Sequence, residues 1–554
     1  MLDLLVNYAK THGITIEPGF KPKTIRWVII CDQAGRFLNV QELGNSSDKN
    51  NRGKAFNVCP DLSQPEMKAA GSGCRHFLVD NIEVVALMGK NGDVLTDKTI
   101  DEKYKKKAKA KHDFFISLLR QGAGAMKDLD VLADLLDSAD SLSTIQHAFT
   151  AQRFKPTDSV TFAVAGRAPM FLVEDNAWHD WWRNFRQSLL TKKIAKKNIQ
   201  EHNSGGPLRT VKSMRCFGSG RLVEPVLTHP KIEGLSDVGG LSMGDTLAGF
   251  KQESFCSYFL AQSENAAVSE DIAAAYRGGL NDLIKYHSRR LTGAKVVHWY
   301  AGENEVPDEL DPLNWLADVE DTDTNERDAQ NRARSLLESI HAGGRSDLLE
   351  YRFYSLTLSG ASGRVMIRDW IEGQFGELSE NIDKWFDDLA IVRRDGDSLA
   401  PRPKFLAVLG GLVRDLKDIS PPVETKMWRV AVRYESIPEF VMAQALARVR
   451  VDIIQDQPMN HARMGVLKAY HIRKGDKNMQ PYLNEQHPDA AYHCGRLMAV
   501  LAEIQREALG DVGAGVIQRY YAAASATPAL VLGRLVRTSN YHLEKINYRK
   551  KGKD

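Results

Sequence analysis

The sequence predicts an α+β, multidomain fold in which β-rich N-terminal and central portions are followed by a C-terminal α-helical bundle. Three observations carry this. Short apolar runs rich in β-branched residues, "IRWVIICD", "RFLNVQEL", "HFLVDN" and "EVVALMG", alternate with polar, turn-like segments early in the chain. The pair "LEYRFYSLTLSG" and "GRVMIRDW", with Gly360 to Gly363 between them, reads as a β-hairpin. Beyond Asp369 the apolar spacing becomes helical almost throughout.

Taken in order, the early strands lead into a lysine-rich helix start, "KYKKKAKAKHDFFISLL", and an acidic, leucine-rich helix, "MKDLDVLADLLDSAD". "DSVTFAVAG" opens a second strand-rich portion from Asp158. In "SYFLAQSENAAVSEDIAAAYRGGLNDLI", Ile272, Tyr276, Leu280, Leu283 and Ile284 share one helical face. Ser269 suits the N-cap, with Glu270 and Asp271 in the first turn, where the helix dipole favours acids. Gly278 and Gly279 each cost about 1 kcal/mol relative to alanine inside a helix, so something must approach that backbone, either a packing neighbour or a ligand. "AKVVHWYAGE" reads as a strand, and the acidic Pro307 to Arg332 as a linker or exposed loop. Near the end, Tyr492, Leu497, Leu501, Ile504 and Ala508 line one face of a helix that stops at Gly510, and Thr527 with Pro528 starts another. These shifts divide the chain at 1–150, 151–370 and 371–554.

With 554 residues, 26% of them charged and 43% hydrophobic, the chain has the composition of a folded globular protein. A net charge of +3 is nearly neutral, so any affinity for nucleic acid must come from local patches. No apolar run approaches the length of a membrane span, and a cytoplasmic location is expected. The six cysteines are scattered without a C-x-x-C pair, as buried thiols would be. There is no phosphate-binding loop, no H-E-x-x-H and no convincing nucleophile elbow. The pair His112 and Asp113 lacks the further ligands a metal phosphohydrolase needs. The expectation is a protein that is not an enzyme, with no cofactor, metal or catalytic residue.

Several features suit nucleic acid instead. Lys103, Lys105, Lys106, Lys107, Lys109 and Lys111 concentrate charge that can neutralise phosphates, though a solvated helix face looks the same. In "GSGCRHFLVDN", the glycine-flanked loop with Ser72 and Gly73 offers backbone N–H groups, Arg75 can pair bidentately with guanine or phosphate, and His76 and Asn81 can reach base edges. The alternative is a tight turn into a core strand. Arg364 and Arg368 alternate with Val365 and Ile367, which places them opposite the buried face, free for a backbone-tracking groove or for nearby acids. Asn265 and Arg277, on the polar stretch and the glycine-softened helix, serve either internal packing or nucleic-acid contact.

Together these blocks resemble one family, the large subunit of the type I-C CRISPR Cascade surveillance complex. The resemblance runs from about residue 70 to about residue 545 through "GSGCRHFLVDN", "THPKIEGL", "SYFLAQSENAAVSEDIAAAYRGGLN", "VVHWYAGE", "SLTLSGASGRVMIRDW", "QPYLNEQHPDAAYHCGRLMAVLAEIQREALG" and "IQRYYAAASATPALVLGRL", in the family's order. It implies a non-catalytic subunit that tests duplex DNA for a protospacer-adjacent motif, aids duplex opening, and holds the displaced strand for a separate helicase-nuclease. The implied partners are the guide RNA complex, target double-stranded DNA, the displaced strand, the other Cascade subunits (backbone, guide-end-binding and small) and that helicase-nuclease. It also implies that the Gly71 to Asn81 loop contributes to motif recognition, and that the C-terminal helices resemble a separately translated small subunit, with Met464, Met479 and Met498 as candidate internal starts. The family pattern continues through further terminal helices, whereas this chain ends in "NYRKKGKD". A metal-dependent nuclease and a generic nucleic-acid-binding scaffold remain as other classes.

Overall fold

The computed structural model describes the chain apart from residues 15–16, 45–51, 62–76, 90–92, 96–100, 190–212, 227, 251–253, 255–257, 259, 261, 303–305, 308–309, 317–334, 336–347, 349, 394–395, 456–458 and 552–554. The chain forms two compact units, one of residues 1–232 with 246–282 and one of residues 233–245 with 283–554. Both combine sheets with helices, and the C-terminal region is helical, so the architecture is α+β and multidomain. Position 150 ends a helix inside the first unit, and position 370 falls within a strand of the second.

The first unit begins with helix α1 (Leu2–Thr11), whose Leu5, Val6, Tyr8 and Ala9 are buried. Strands β1 (Phe20–Ile25) and β4 (Lys54–Pro60) pair antiparallel. The main sheet has β2 (Trp27–Cys31) at its centre, antiparallel to β3 (Phe37–Glu42) and parallel to β6 (Ser159–Val164), with β5 (Asp80–Asn81) beyond β6. The run "WVIIC" has no polar alternation because β2 is buried along nearly its whole length, as a strand covered on both faces must be. Helices α3 (Glu102–Gly122), α4 (Asp128–Asp137) and α5 (Ala139–Thr150) bring Phe115, Leu119, Leu132 and Phe149 into the same core as Trp27, Ile29 and Phe162. An aromatic cluster closes it, with Phe77 stacked on Trp182 at 5.5 Å between ring centroids and Trp178 edge-on at 5.6 Å.

"EVVALMG" departs from expectation. Its start is the short helix α2 (Ile82–Val85), with Ile82, Val84 and Val85 all buried. The Ile82 and Glu83 N–H groups donate to the Asp158 and Pro156 carbonyls at 3.0 Å, so the segment's backbone is satisfied outside any strand ladder, and burial overrides β propensity. In "HFLVDN", only Asp80 and Asn81 pair as strand, against Val160 and Ser159.

The second unit is built on an antiparallel meander of β7 (Ser288–Arg290), β8 (Lys295–Ala301), β9 (Arg352–Ala361) and β10 (Arg364–Gln374). The hairpin between β9 and β10 is as the sequence predicts. Its register shifts, however: Thr357 faces Asp369 while Leu358 faces Ile367, which leaves Arg368 as an extra residue in a bulge. Val365 is buried but Ile367, two residues on and short of the bulge, is 43% exposed, against expectation.

At the hairpin tip Gly360 lies against the backbone of Gly240, and a Cβ on Gly360 would sit 2.1 Å from the Gly240 Cα and 2.2 Å from its nitrogen. Backbone cannot yield as a side-chain end can. Gly360→Ala should therefore cost about 1–3 kcal/mol or more, read as a lowered denaturant midpoint, whereas Gly396→Ala, where a Cβ would meet nothing within 4 Å, should cost only its backbone strain at φ +81°. Equal midpoints for the two variants would show that the contact is slack.

Helices α7 (Phe375–Leu389), α8 (Phe405–Leu412), α9 (Pro421–Val432), α10 (Glu439–Ile454) and α11 (His461–Arg473) follow, and Ile382, Trp385, Leu409, Met427, Trp428 and Val466 form their shared core. The last three, α12 (Ala490–Leu509), α13 (Val516–Ala526) and α14 (Pro528–Lys551), enclose a separate small core of Met498, Leu501, Val516, Leu532 and Leu535. Gly510 ends α12 at φ +74°, as expected of a helix-stopping glycine. Leu497 points outward and Met498 inward, a one-residue difference from the predicted stripe. Within Pro307 to Arg332, the described residues Asp311, Leu313 and Leu316 are buried, so this part is core and not an exposed loop. Among the described residues no helix is long and apolar enough to cross a membrane.

Candidate nucleic-acid interface

Helix α3 sorts its charges by face. The Asp101 carboxylate accepts from the Lys103 N–H at 3.2 Å and caps the helix, while Ala108, His112, Phe115 and Leu119 turn inward. Lys105 and Lys111 flank this buried stripe and are paired, with Glu102 at 3.2 Å and Glu83 at 3.6 Å. Lys103, Lys106, Lys107 and Lys109 are exposed. At 100° per residue, Lys103, Lys106 and Lys107 fall on the side away from the core, and Lys109 on its edge. His112 Nδ1 donates to the Val84 carbonyl at 2.8 Å in the interior, whereas Asp113 is exposed. Adjacent helix residues point about 100° apart, so the two form no ligand pair. Among the described residues no group of three or more His, Cys, Asp or Glu side chains could hold a metal ion.

Ser72, Gly73, Arg75 and His76 lie outside the described residues. Asn81 is described: it is partly buried at the end of β5, occupies the N-cap position of α2, and donates its N–H to its neighbour Asp80 at 2.8 Å.

The polar stretch before helix α6 (Glu270–Tyr286) forms a 3₁₀ turn, Gln262–Ala266, and its contacts are internal. The Asn265 side-chain amide donates to the Gln262 and Leu260 carbonyls at 3.1 and 3.3 Å, and the Ser263 hydroxyl donates to the Val226 carbonyl. His229, from the "THPKIEGL" block, joins the end of this turn to α6: Nε2 meets the Ala266 carbonyl at 2.9 Å and Nδ1 meets the Tyr276 hydroxyl at 2.9 Å. Burial lowers the His229 pKa and raises that of Tyr276, so the connection is between neutral groups. Gly279 is needed because a Cβ there would lie 2.7 Å from the Leu5 carbonyl of α1. Arg277 pairs with Asp61 at 3.5 Å, both largely shielded from solvent. The glycine at 279 and the side chain of Asn265 thus serve packing.

Arg364 is exposed at the start of β10, and Arg368 donates from Nε to the Ser359 hydroxyl on β9 at 2.8 Å. Because Arg368 sits in the bulge, the two arginines do not form the regular alternating pair that spacing predicts. A cavity of about 600 Å³ opens between α10, α11, α12 and α13, and its Arg463 and Asp452 are already paired with each other.

One feature escaped the sequence reading altogether. Residues Met214–Arg215 and Leu222–Val223 form a tight hairpin whose tip carries the exposed Phe217. Its only sequence signal is the glycine spacing in "CFGSGR", too short for a strand pattern.

A family model described as CRISPR-associated protein (Cas_Csd1) matches residues 5–554. No curated protein matches the chain.

Proposed function

Because the chain belongs to the Cas_Csd1 family of CRISPR-associated proteins, we propose that it is the non-catalytic large subunit of a type I-C guide-RNA-directed surveillance complex. The observation that carries this reading is the family match over residues 5–554, which spans every block of the resemblance. In this reading, the subunit tests duplex DNA for the adjacent motif, base pairing with the guide reads the remaining sequence, and the displaced strand is held for a separate helicase-nuclease. Its partners are the guide RNA with the backbone, guide-end-binding and small subunits, and the target DNA. The exposed lysines of α3 suit phosphate neutralisation, which adds affinity without sequence preference. The segment Gly71 to Asn81 carries side chains suited to base-edge contacts, with Arg75 as the bidentate donor.

The test compares binding of matched duplexes by the guide-RNA complex with and without this subunit, varying only the adjacent motif. Motif preference should appear only when the subunit is present, and Arg75→Ala with Asn81→Ala should reduce it by about 1–3 kcal/mol per lost base contact. Preference that persists without the subunit would leave it a scaffold. Metal-dependent cleavage by the purified chain would make it a nuclease and overturn the non-catalytic assignment.

A further inference from the structure

The hairpin Met214–Val223 presents an aromatic ring to solvent from a rigid base. Met214 pairs with Val223 and Arg215 with Leu222. The turn is closed by Cys216 N–H to the Arg221 carbonyl and Gly220 N–H to the Cys216 carbonyl, both at 2.8 Å, and by the Arg215 guanidinium on the Gly220 carbonyl at 3.0 Å. Phe217 is 68% exposed and Leu222 70%. The small hairpin thus leaves two large apolar side chains in solvent.

The base is fixed chiefly by the residues that follow the polar Gln262–Ala266 turn. Phe217 N–H donates to the Ala267 carbonyl at 2.9 Å, and Val226 N–H to the Val268 carbonyl at 2.9 Å. Cys216 is buried, and Gly218 lies so near Ile272 that a Cβ would approach its Cγ2 to 2.6 Å. Ser263 and His229 complete the brace through Val226, Ala266 and Tyr276. Ala267 and Val268, with Ser263 before them and the start of α6 after them, therefore hold the hairpin base while the Phe217 ring stays in solvent.

From this arrangement we propose that the hairpin is a stacking finger for an unpaired segment of DNA, with Phe217 stacking on a base and Arg215 and Arg221 beside it contacting the backbone. The chemistry favours this partner over a protein surface. Residues 214–223 carry two arginines and no acid, which complements a phosphate backbone. An aromatic face with flanking guanidinium groups is the recurrent way to hold single strands without reading their sequence. A paired duplex hides its base faces in the stack, so the finger acts where strands have separated. The proposal rests on the nucleic-acid role above and adds to it a residue and the state of DNA it takes.

The test uses the full guide-RNA complex and a target carrying 2-aminopurine at successive positions of the displaced strand. With the native subunit, fluorescence should be quenched at one or a few adjacent positions beyond quenching by neighbouring bases. Phe217→Ala should remove that quenching and weaken binding to closed duplex by about five- to a hundredfold, with Phe217→Trp restoring both and motif preference unchanged. Because the ring is exposed, thermal melting of the two variants should match the native protein, which separates loss of stacking from misfolding. Unaltered quenching and affinity in Phe217→Ala would overturn the finger while leaving motif recognition by the subunit intact. Loss of the variant subunit from the complex, with normal quenching in the complexes that keep it, would identify a protein contact and also overturn it. Motif preference that persists without the subunit would instead remove the reading on which the finger rests.

Discussion

Replacing Asp311 with alanine should destabilise the second unit by about 3–5 kcal/mol, the usual cost of leaving the partner of a buried ionised group uncompensated. Asp311 is 4% exposed. Its Oδ2 accepts from His298 Nε2 at 2.6 Å, and its Oδ1 accepts from the Tyr300 hydroxyl and from the Leu313 N–H at 2.9 Å. His298 Nδ1 is buried without a partner among the described residues, so the variant would leave both ring nitrogens unsatisfied. Burial alone would raise the Asp311 pKa, yet the His298 charge and the hydrogen bonds from His298, Tyr300 and Leu313 outweigh it and hold the carboxyl below its ordinary range. Tyr300 moves the other way, pushed up by burial and then by Asp311, and stays a proton donor.

The sign of the pH dependence follows. A carboxyl depressed in the folded state contributes its full stability above the unfolded value of about 3.9, and that contribution is lost as pH falls through the folded pKa. Denaturant midpoints measured from pH 7 down to pH 3 should therefore fall below about pH 4 in the native protein, and fall less steeply in Asp311→Ala, which starts lower. Parallel acid limbs would show that other carboxylates carry the acid sensitivity.

Asp311 also marks where sequence reading ran out. Its acidic, turn-rich surroundings describe a solvated loop, and composition cannot tell that one acid of many is paired across to a strand. Continuous β-branched runs such as "WVIIC" were legible because strong local preference and burial agree. "EVVALMG" was not, since a run of buried apolar residues suits a helical turn as well as a strand, and the Asp158 and Pro156 carbonyls decided it. Ile367 departs from the alternation although its register with Val365 is unbroken, so spacing alone carries no signal of its 43% exposure.

The same holds at the candidate site. That the lysines share a helix was readable; which of them are neutralised was not, because Glu83 reaches Lys111 from a separate helix. The glycine at 279 signalled a close approach, but only the fold identifies the Leu5 carbonyl as the neighbour. Arg277 looked available until Asp61, 216 residues away, came beside it. Long-range pairing of this kind leaves no local pattern, so spacing names the charged residues and the fold alone sorts braced from exposed.

That sorting makes the largest functional prediction specific. Changing Lys103, Lys106, Lys107 and Lys109 to glutamine should weaken binding of the guide-RNA complex to every DNA tested, correct motif or not. If each lysine neutralises one phosphate, the slope of log affinity against log salt should become shallower by about 3.6, and affinity near 0.1 M salt should fall on the order of 10²–10³-fold. Lys105→Gln and Lys111→Gln, which remove lysines already paired with Glu102 and Glu83, should change the slope far less. Glutamine keeps helix propensity close to that of lysine and all four positions are exposed, so melting should not move. An unchanged salt slope would make this a solvated face and shift the search for the electrostatic footprint to other basic segments. A shallower slope accompanied by lost motif preference would be equally informative, because phosphate contacts fix register without reading bases, and their loss would then be acting through the positioning of the proposed base-contacting segment Gly71 to Asn81.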